Sequence, residues 1–489
     1  MIIVAYAGQG RGRQGRQGKQ GRQGRQEAGE AGGREGREVT SHDPISSFME
    51  AASVPLEGGH ASGTLDRARE ILATHTEVAA ADIYAAAVLG DDAAVRRFVE
   101  RDSANATKKG SVYEWDALTY LCFSRFLRLD GSRSDAFVRT ARVLLDAGAS
   151  ANTGFFEKNH LPAPTFESAI YGAAGIAHDP ELTKLLLEHG ADPNDEETPY
   201  HVIETFDNRA LKVLVESGKL TADSMATLLL RKHDWHDYDG IKWLLEHGAD
   251  ENRMSGWKRT PLFQAVQRDN SIRILELSLD HGADPTIGTS EGRSAAALAA
   301  RRGRGDALEL FAKRSIRIEF AGVDRLVAVC ALSDVDAIRS IAVREPRVVR
   351  ELIAEGGPLI AEFAGNGNTE GVRCLLDLGV DVNARHPDGD PYFGVAGNSA
   401  ALHSAAWRAR PATVKLLLDR GALVDAKDAN GRTPLMLAVR ACVDSYWTDW
   451  RTAESTAALL AAGASTAGVM FPSGYDEVDQ LLRKAGAGG

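Results

Sequence analysis

Leucines and valines recur along this chain at helical spacing, and run after run ends in one phrase. Two or three apolar residues and two spacers lead to Gly-Ala, then an acidic or small residue, then a polar one. It stands as Leu186-Leu187-Glu188-His189-Gly190-Ala191-Asp192-Pro193-Asn194, as Leu244-Leu245-Glu246-His247-Gly248-Ala249-Asp250-Glu251-Asn252, and as Leu279-Asp280-His281-Gly282-Ala283-Asp284-Pro285. Looser copies end at Gly148, Gly379, Gly421 and Gly463. Upstream lies a second pattern, Thr260-Pro261-Leu262-Phe263-Gln264-Ala265-Val266 and Thr433-Pro434-Leu435-Met436-Leu437-Ala438-Val439. A threonine hydroxyl caps free amides, and proline at the first helical position gives up no hydrogen bond, so each pattern predicts a helix start. The next apolar stripe, as in Val414, Leu417 and Leu418, predicts a second helix that stops at glycine in a left-handed cap. The unit is helix, turn, helix, loop.

The glycines set the interval. Gly248 to Gly282 spans 34 residues, Gly282 to Gly379 spans 97, and Gly190 to Gly248 spans 58 across a degenerate copy at Val213 to Gly218. Three further gaps, from Gly148 to Gly190, Gly379 to Gly421 and Gly421 to Gly463, are each 42. A fixed interval means one supersecondary unit repeated, with insertions where the gap lengthens.

Leu402-His403-Ser404-Ala405-Ala406, Leu416 to Leu418, Gly421-Ala422 and Asp428-Ala429-Asn430-Gly431-Arg432-Thr433-Pro434-Leu435 resemble the ankyrin repeat in register. The first copy is Ile83 to Asp91 with Val95, Phe98 and Val99. The resemblance implies an all-α solenoid of about 11–12 stacked helix-turn-helix units with loop fingers over residues 81–487. Units near 200–240 and 318–356 keep only apolar periodicity, as in Leu326, Val327, Ile338, Ile341 and Leu352. A terminal helix is expected over Tyr475 to Gly486. Residues 41–80 read as a linker and capping segment, with a short helix at Leu65 to Thr74.

Composition narrows the class. The chain has 489 residues, 44% hydrophobic and 26% charged, enough apolar content for a long continuous core. Cys122, Cys330, Cys374 and Cys442 lie far apart, with neither metal spacing nor a disulfide framework, so a reducing compartment and a cytoplasmic location are expected. No apolar run reaches membrane-spanning length. Residues 1–40 are a Gly/Arg/Gln-rich low-complexity arm, expected to be disordered, and Arg11 to Gln26 carries six positive charges and no negative one. The net charge is −11, so an acidic repeat body disfavours duplex DNA, and any nucleic-acid role falls to that arm.

Catalytic chemistry is hard to assemble. His233 and His236 are spaced for one helical face, yet the segment reads as a solvated inter-helix turn. Asp388, Gly389 and Asp390 lack the alternating ligands and closing glutamate of a calcium loop. Gly303-Arg304-Gly305 and Gly365-Asn366-Gly367-Asn368 follow no strand and lack a phosphate-loop lysine. His403 matches the signature histidine of its repeat, which implies a hydrogen-bonding role between neighbouring loops. No metal ligands, cofactor or catalytic residues are assigned, and the chain reads as non-catalytic.

What remains is a contact surface. The resemblance places fingertips and first-helix ends on one face that family members use to hold partner proteins, and a monomer that binds another protein is expected. The positions carried over are Trp257, Gln267, Arg268, Trp407, Arg408, Arg432 and Arg440. Tyr392 and Phe393 lie in the long finger Ala384 to Ala400, and Trp447 and Trp450 in the insertion Val443 to Ser455. Tryptophan and arginine dominate binding hot spots. Similar expansions sit at Leu127 to Asp135 and Phe155 to Pro164. The alternative for the aromatics of these loops, the 446 to 450 cluster included, is that they fold back to seal neighbouring repeats. Trp115 and Trp243 are expected in the core. Alternative functions are an enzyme or metal-binding effector using His233 and His236 in an inserted loop, and polyanion binding by the basic arm.

Overall fold

The computed structural model describes residues 43–56, 59–158, 163–445 and 450–487. The basic arm and Trp447 therefore lie outside the described residues. The chain divides into two compact units, Met1–Leu228 and Leu229–Gly489.

In the first unit, helix Pro44–Ala52 and helix Asp66–Thr74 precede the repeated pairs. First helices at Ile83–Val88, Ala117–Cys122 and Glu197–His201, with the π-helical turn Tyr171–Ile176, form one row. Second helices at Asp92–Arg101, Ser134–Asp146, Pro180–Glu188 and Arg209–Glu216 form the other, each packed on the next. The second unit continues the pattern, with first helices at Pro261–Gln267, Ala295–Arg301, Gly322–Ala331, Gly356–Asn366, Ala401–Trp407 and Pro434–Val443. Their faces carry small residues that let helices approach: Ala295, Ala296, Ala299, Ala401 and Ala405 are all 0% exposed.

Local chemistry works as the sequence predicts. Thr260 and Thr433 accept hydrogen bonds from the amides of Phe263 and Met436, each with proline next in the chain. All seven glycines of the repeated phrase have positive φ, from +86° at Gly421 to +102° at Gly379. The polar residue that closes the phrase also acts on the following repeat. The Asn252 side chain donates to the Gly282 carbonyl (2.9 Å) and accepts from the Asp284 amide (2.8 Å). Asn383 does the same to Gly421 (3.3 Å) and Leu423 (2.8 Å), and Asn152 to Gly190 (3.0 Å) and Asp192 (2.8 Å). These pairs satisfy backbone groups that a turn leaves open, and they join each of these three repeats to the next one.

The expectation of an all-helical chain needs one correction. Two lengthened fingers are long enough to pair with themselves, giving antiparallel hairpins Gly154–Glu157 with Thr165–Ser168 and Arg385–His386 with Ser399–Ala400. Trp243 also differs from expectation: it is partly exposed and stacks on His247 at 3.8 Å, whereas Trp115 is buried against Phe155 at 4.3 Å.

The degraded stretch of the second unit inserts helix Pro346–Ala354, and Gly356–Asn366 then packs against both Ala401–Trp407 and Ala295–Arg301. Gly303 permits this approach. Its φ is +69°, and a Cβ there would lie 2.6 Å from Cγ of Phe363. Gly303→Ala should therefore lower stability by at least about 2 kcal/mol, from left-handed strain and overpacking together. Gly256→Ala, at an exposed glycine with no heavy atom within 4 Å of its Cβ, should stay within about 0.5 kcal/mol. Melting of both variants checks the contrast, and equal losses would refute the close-approach role of Gly303.

Candidate functional site

The helix-end positions and the long finger of the second unit meet around two buried carboxylates. Asp234 and Asp269 each end or follow a helix, and each has an arginine partner from one repeat further along. Asp234 accepts from Nε of Arg268 (2.7 Å), from the Gln264 amide and from Arg231. Asp269 is gripped by Arg302 through Nε (2.9 Å) and Nη2 (2.7 Å), and by Arg408 Nη1 at 2.8 Å. Arg302 reaches on to Glu362 (2.9 Å) and Asp390 (3.4 Å).

These contacts fix the finger. Asp390 turns inward and accepts from the Tyr392 and Phe393 amides while it pairs with Arg302. The Tyr392 hydroxyl donates to the Asp234 carbonyl (2.8 Å), and the Arg268 guanidinium lies 3.6 Å over the Tyr392 ring. Phe393 is buried with Val395, Trp407, Leu437 and Ala441, under the Arg408 guanidinium at 4.0 Å, and its carbonyl accepts from the Trp407 indole N–H. Cation–π contact and charge-assisted hydrogen bonding therefore act on the same residues.

Three residues read as exposed contact positions are thus interior. Phe393, Trp407 and Arg408 are 4%, 8% and 5% exposed. The reason is geometric: ends of adjacent first helices are neighbours, and the finger folds across them. Tyr392, Arg268, Gln267 and Arg432 are partly buried. Gln267 accepts from Arg259, and Arg432 pairs with Asp428 at 2.8 Å. Trp257 is partly exposed on its finger, Arg440 pairs with Asp444 at the surface, and Trp450 is 50% exposed.

The histidines divide as well. His233 does not sit in a solvated turn. It lies in the last turn of helix Ala222–Asp234, fully buried, with Nδ1 3.1 Å from Asn270 Oδ1 and Nε2 3.5 Å from Glu251. Burial drives the His236 pKa down to about 4, so it is neutral at physiological pH. Among the described residues, no group of three or more His, Cys, Asp or Glu side chains is placed to hold a metal ion. His403 bridges loops as its repeat position implies: Nδ1 accepts from the Ala400 amide (3.1 Å) and Nε2 lies 2.9 Å from the Ala426 carbonyl.

Electrostatics follow from burial against pairing. Burial alone would lift Asp269, but Arg302 and Arg408 hold its carboxyl well below the usual carboxylate range. For Asp234, Arg231 and Arg268 likewise outweigh burial. Glu362 goes the other way, pushed up to about 7 by burial, with Arg302 opposing and Asp390 and Asp269 adding to the rise. Asp269, Arg302 and Glu362 were not singled out from sequence. The readable signal was their spacing, since Asp234 with Arg268 and Asp269 with Arg302 are each one repeat apart.

Residues 229–320 and 360–447 match the family model of ankyrin repeats, in three copies. These two segments are ankyrin repeats. Stretches of the chain are similar to parts of other proteins. One is serine/threonine-protein kinase 12 of Arabidopsis thaliana, 39% identical over 85 residues, covering 17% of either chain. Another is E3 ubiquitin-protein ligase hecd-1 of Caenorhabditis elegans, 44% identical over 69 residues, 14% of this chain and 2% of that one. Protein glp-1 of Caenorhabditis elegans is 28% identical over 199 residues, 40% of this chain and 13% of that one. The chain thus spans less than a fifth of each of these relatives.

Removing one partner of a buried ion pair strands the other, so Asp269→Asn should cost about 3–5 kcal/mol, measured by chemical unfolding. A loss below about 1 kcal/mol, the value of an exposed pair, would contradict the clamp. For Glu362, a folded pKa above the unfolded one gives a stability contribution that is complete below pH 4.5 and is lost as pH rises through about 7. His201, raised to about 9, and Glu167, raised to about 8, act in the same direction in the first unit. The comparison is therefore wild type against Glu362→Gln. Melting temperatures from pH 5 to 8 should fall more steeply for the wild type, and parallel curves would refute the assignment.

Proposed function

We propose that the chain is a non-catalytic, monomeric scaffold that recognises a partner protein on the face made by the first helices and expanded loops of its second unit. Ankyrin repeats generally mediate protein–protein interaction, and the repeats here carry that coarser statement. The observation that supports the finer one is the pinned finger. Its hairpin, Asp390 turn and buried Phe393 hold the Ala384 to Ala400 loop in one conformation, so binding there orders little new chain. Trp257, Arg440 and Trp450, each at least partly accessible, take the proposed role of contacts, while Phe393, Trp407 and Arg408 take the role of framework. Tryptophan and arginine on a rigid frame match the usual composition of binding hot spots.

Four buried free thiols support a reducing, cytoplasmic setting. Among the described residues, no helix is long and apolar enough to cross a membrane.

Affinity capture from the host lysate tests the reading, comparing wild type with a Trp257→Ala, Arg440→Ala, Trp450→Ala triple variant of matched melting temperature. The expected result is a specific protein retained by the wild type and lost from the variant. The same proteins on both would place recognition elsewhere.

A further inference from the structure

Two glycine-rich segments that look unremarkable in sequence come together in the second unit. Gly303-Arg304-Gly305 links helix Ala295–Arg301 to helix Gly305–Lys313, and Gly365 to Asn368 links helix Gly356–Asn366 to helix Thr369–Asp377. The Asn368 amide donates to the carbonyls of Gly303 and Ala331, both at 2.8 Å, and the Asn366 amide donates to the Arg302 carbonyl at 2.9 Å. Between them opens a hollow of about 740 Å³ whose wall includes Arg304, Arg408, Arg410 and Trp450. The glycines make room for arginine stems: a Cβ at Gly365 would lie 3.2 Å from Cδ of Arg408, and one at Gly367 2.9 Å from Cδ of Arg410.

Of the charged side chains on the wall, Arg410 and Glu309 have no ion-pair partner among the described residues, and the others are matched. Arg304 forms a fork with Asp306 at 2.8 and 3.0 Å, Arg408 serves Asp269, and the rim carboxylate Glu370 pairs with Arg373 at 3.1 Å. Arg410 donates Nε to the Gly365 carbonyl (3.1 Å) and lies 4.4 Å over the Trp450 ring. Among the described residues, no carboxylate lies within ion-pair distance of Arg410, and its two terminal nitrogens have no acceptor. We propose that this hollow binds the phosphate group of a phosphate monoester, seated on the two terminal nitrogens of Arg410, with the organic part of the ligand against Trp450.

The chemistry is specific. A planar guanidinium presents paired donors that match phosphate oxygens, and the half-exposed indole offers an apolar surface next to them. Helix Thr369–Asp377 begins at the same wall, so its dipole adds positive potential. Burial, with Arg408 adding, lowers the Arg410 pKa to about 10, which leaves it cationic at neutral pH and more stable with an anion beside it. Glu309 is the exposed wall carboxylate that opposes the ligand.

Isothermal titration of the full chain with phenyl phosphate, and in parallel with a phosphoserine peptide and its unphosphorylated form, tests the site. Saturable binding of phenyl phosphate is expected. Arg410→Gln should weaken it at least about tenfold, the loss typical of one charge-assisted contact, with Arg410→Lys intermediate. Glu309→Gln at the exposed rim should tighten it and reduce no melting temperature, an arm that does not depend on Arg410 variants folding. Tighter binding of the phosphopeptide than of phenyl phosphate would identify a modified partner side chain as the source, and the reverse order a free metabolite. Absence of saturable binding for every phosphate probe, or unchanged affinity in a folded Arg410→Gln variant, would overturn the site. The outcome is independent of partner capture, because the probes are small and defined.

Discussion

A single buried carboxylate organises the second unit. Asp269 follows one first helix, Arg302 ends the next, and Arg408 ends another more than a hundred residues away in sequence, yet all three meet at hydrogen-bond distance. None is more than 7% exposed at its side chain. Desolvation penalises each charge, so the cluster holds only when every member has its partner. That condition constrains the backbone. The helix ends must sit in one relative arrangement, and Gly303, Gly305, Gly365 and Gly367 supply the clearance for it.

The finger depends on the same cluster. Asp390 and Phe393 carry no anchoring information by themselves, but Arg302 pairs with the first and Arg408 lies over the second. A loop that would otherwise sample many conformations is ordered when the chain folds rather than when a partner arrives. The hollow beside it arises from the same geometry, since the glycine-rich turns that admit Arg408 also admit Arg410.

The repeat architecture was legible because local physics repeats with it. Threonine caps, proline starts, left-handed glycines and apolar stripes each act within a few residues, so their spacing along the chain reports them directly. His403 was readable for the same reason. The contact surface was not. Trp407 and Arg408 occupy helix-end positions that a single isolated repeat would expose, but their burial is decided by the folded finger, whose path depends on Asp234 and Asp269. His233 shows the same limit: its polar surroundings in sequence suggested solvent, and Asn270 and Glu251 from the following repeat enclose it. Aspartate and arginine one repeat apart were the visible trace of this network.

Hydrogen–deuterium exchange of the finger, in wild type and in Asp269→Asn, tests the clamp most directly. The amides of Asp390, Val395 and Asn398 donate within the finger, to Val395, Asp390 and Pro387. The prediction is strong protection of these amides in the wild type and its loss in the variant, while helix Pro434–Val443 stays protected in both. Rapid exchange of the wild-type finger, or protection that survives removal of the Asp269 charge, would contradict the dependence of this surface on the buried carboxylate.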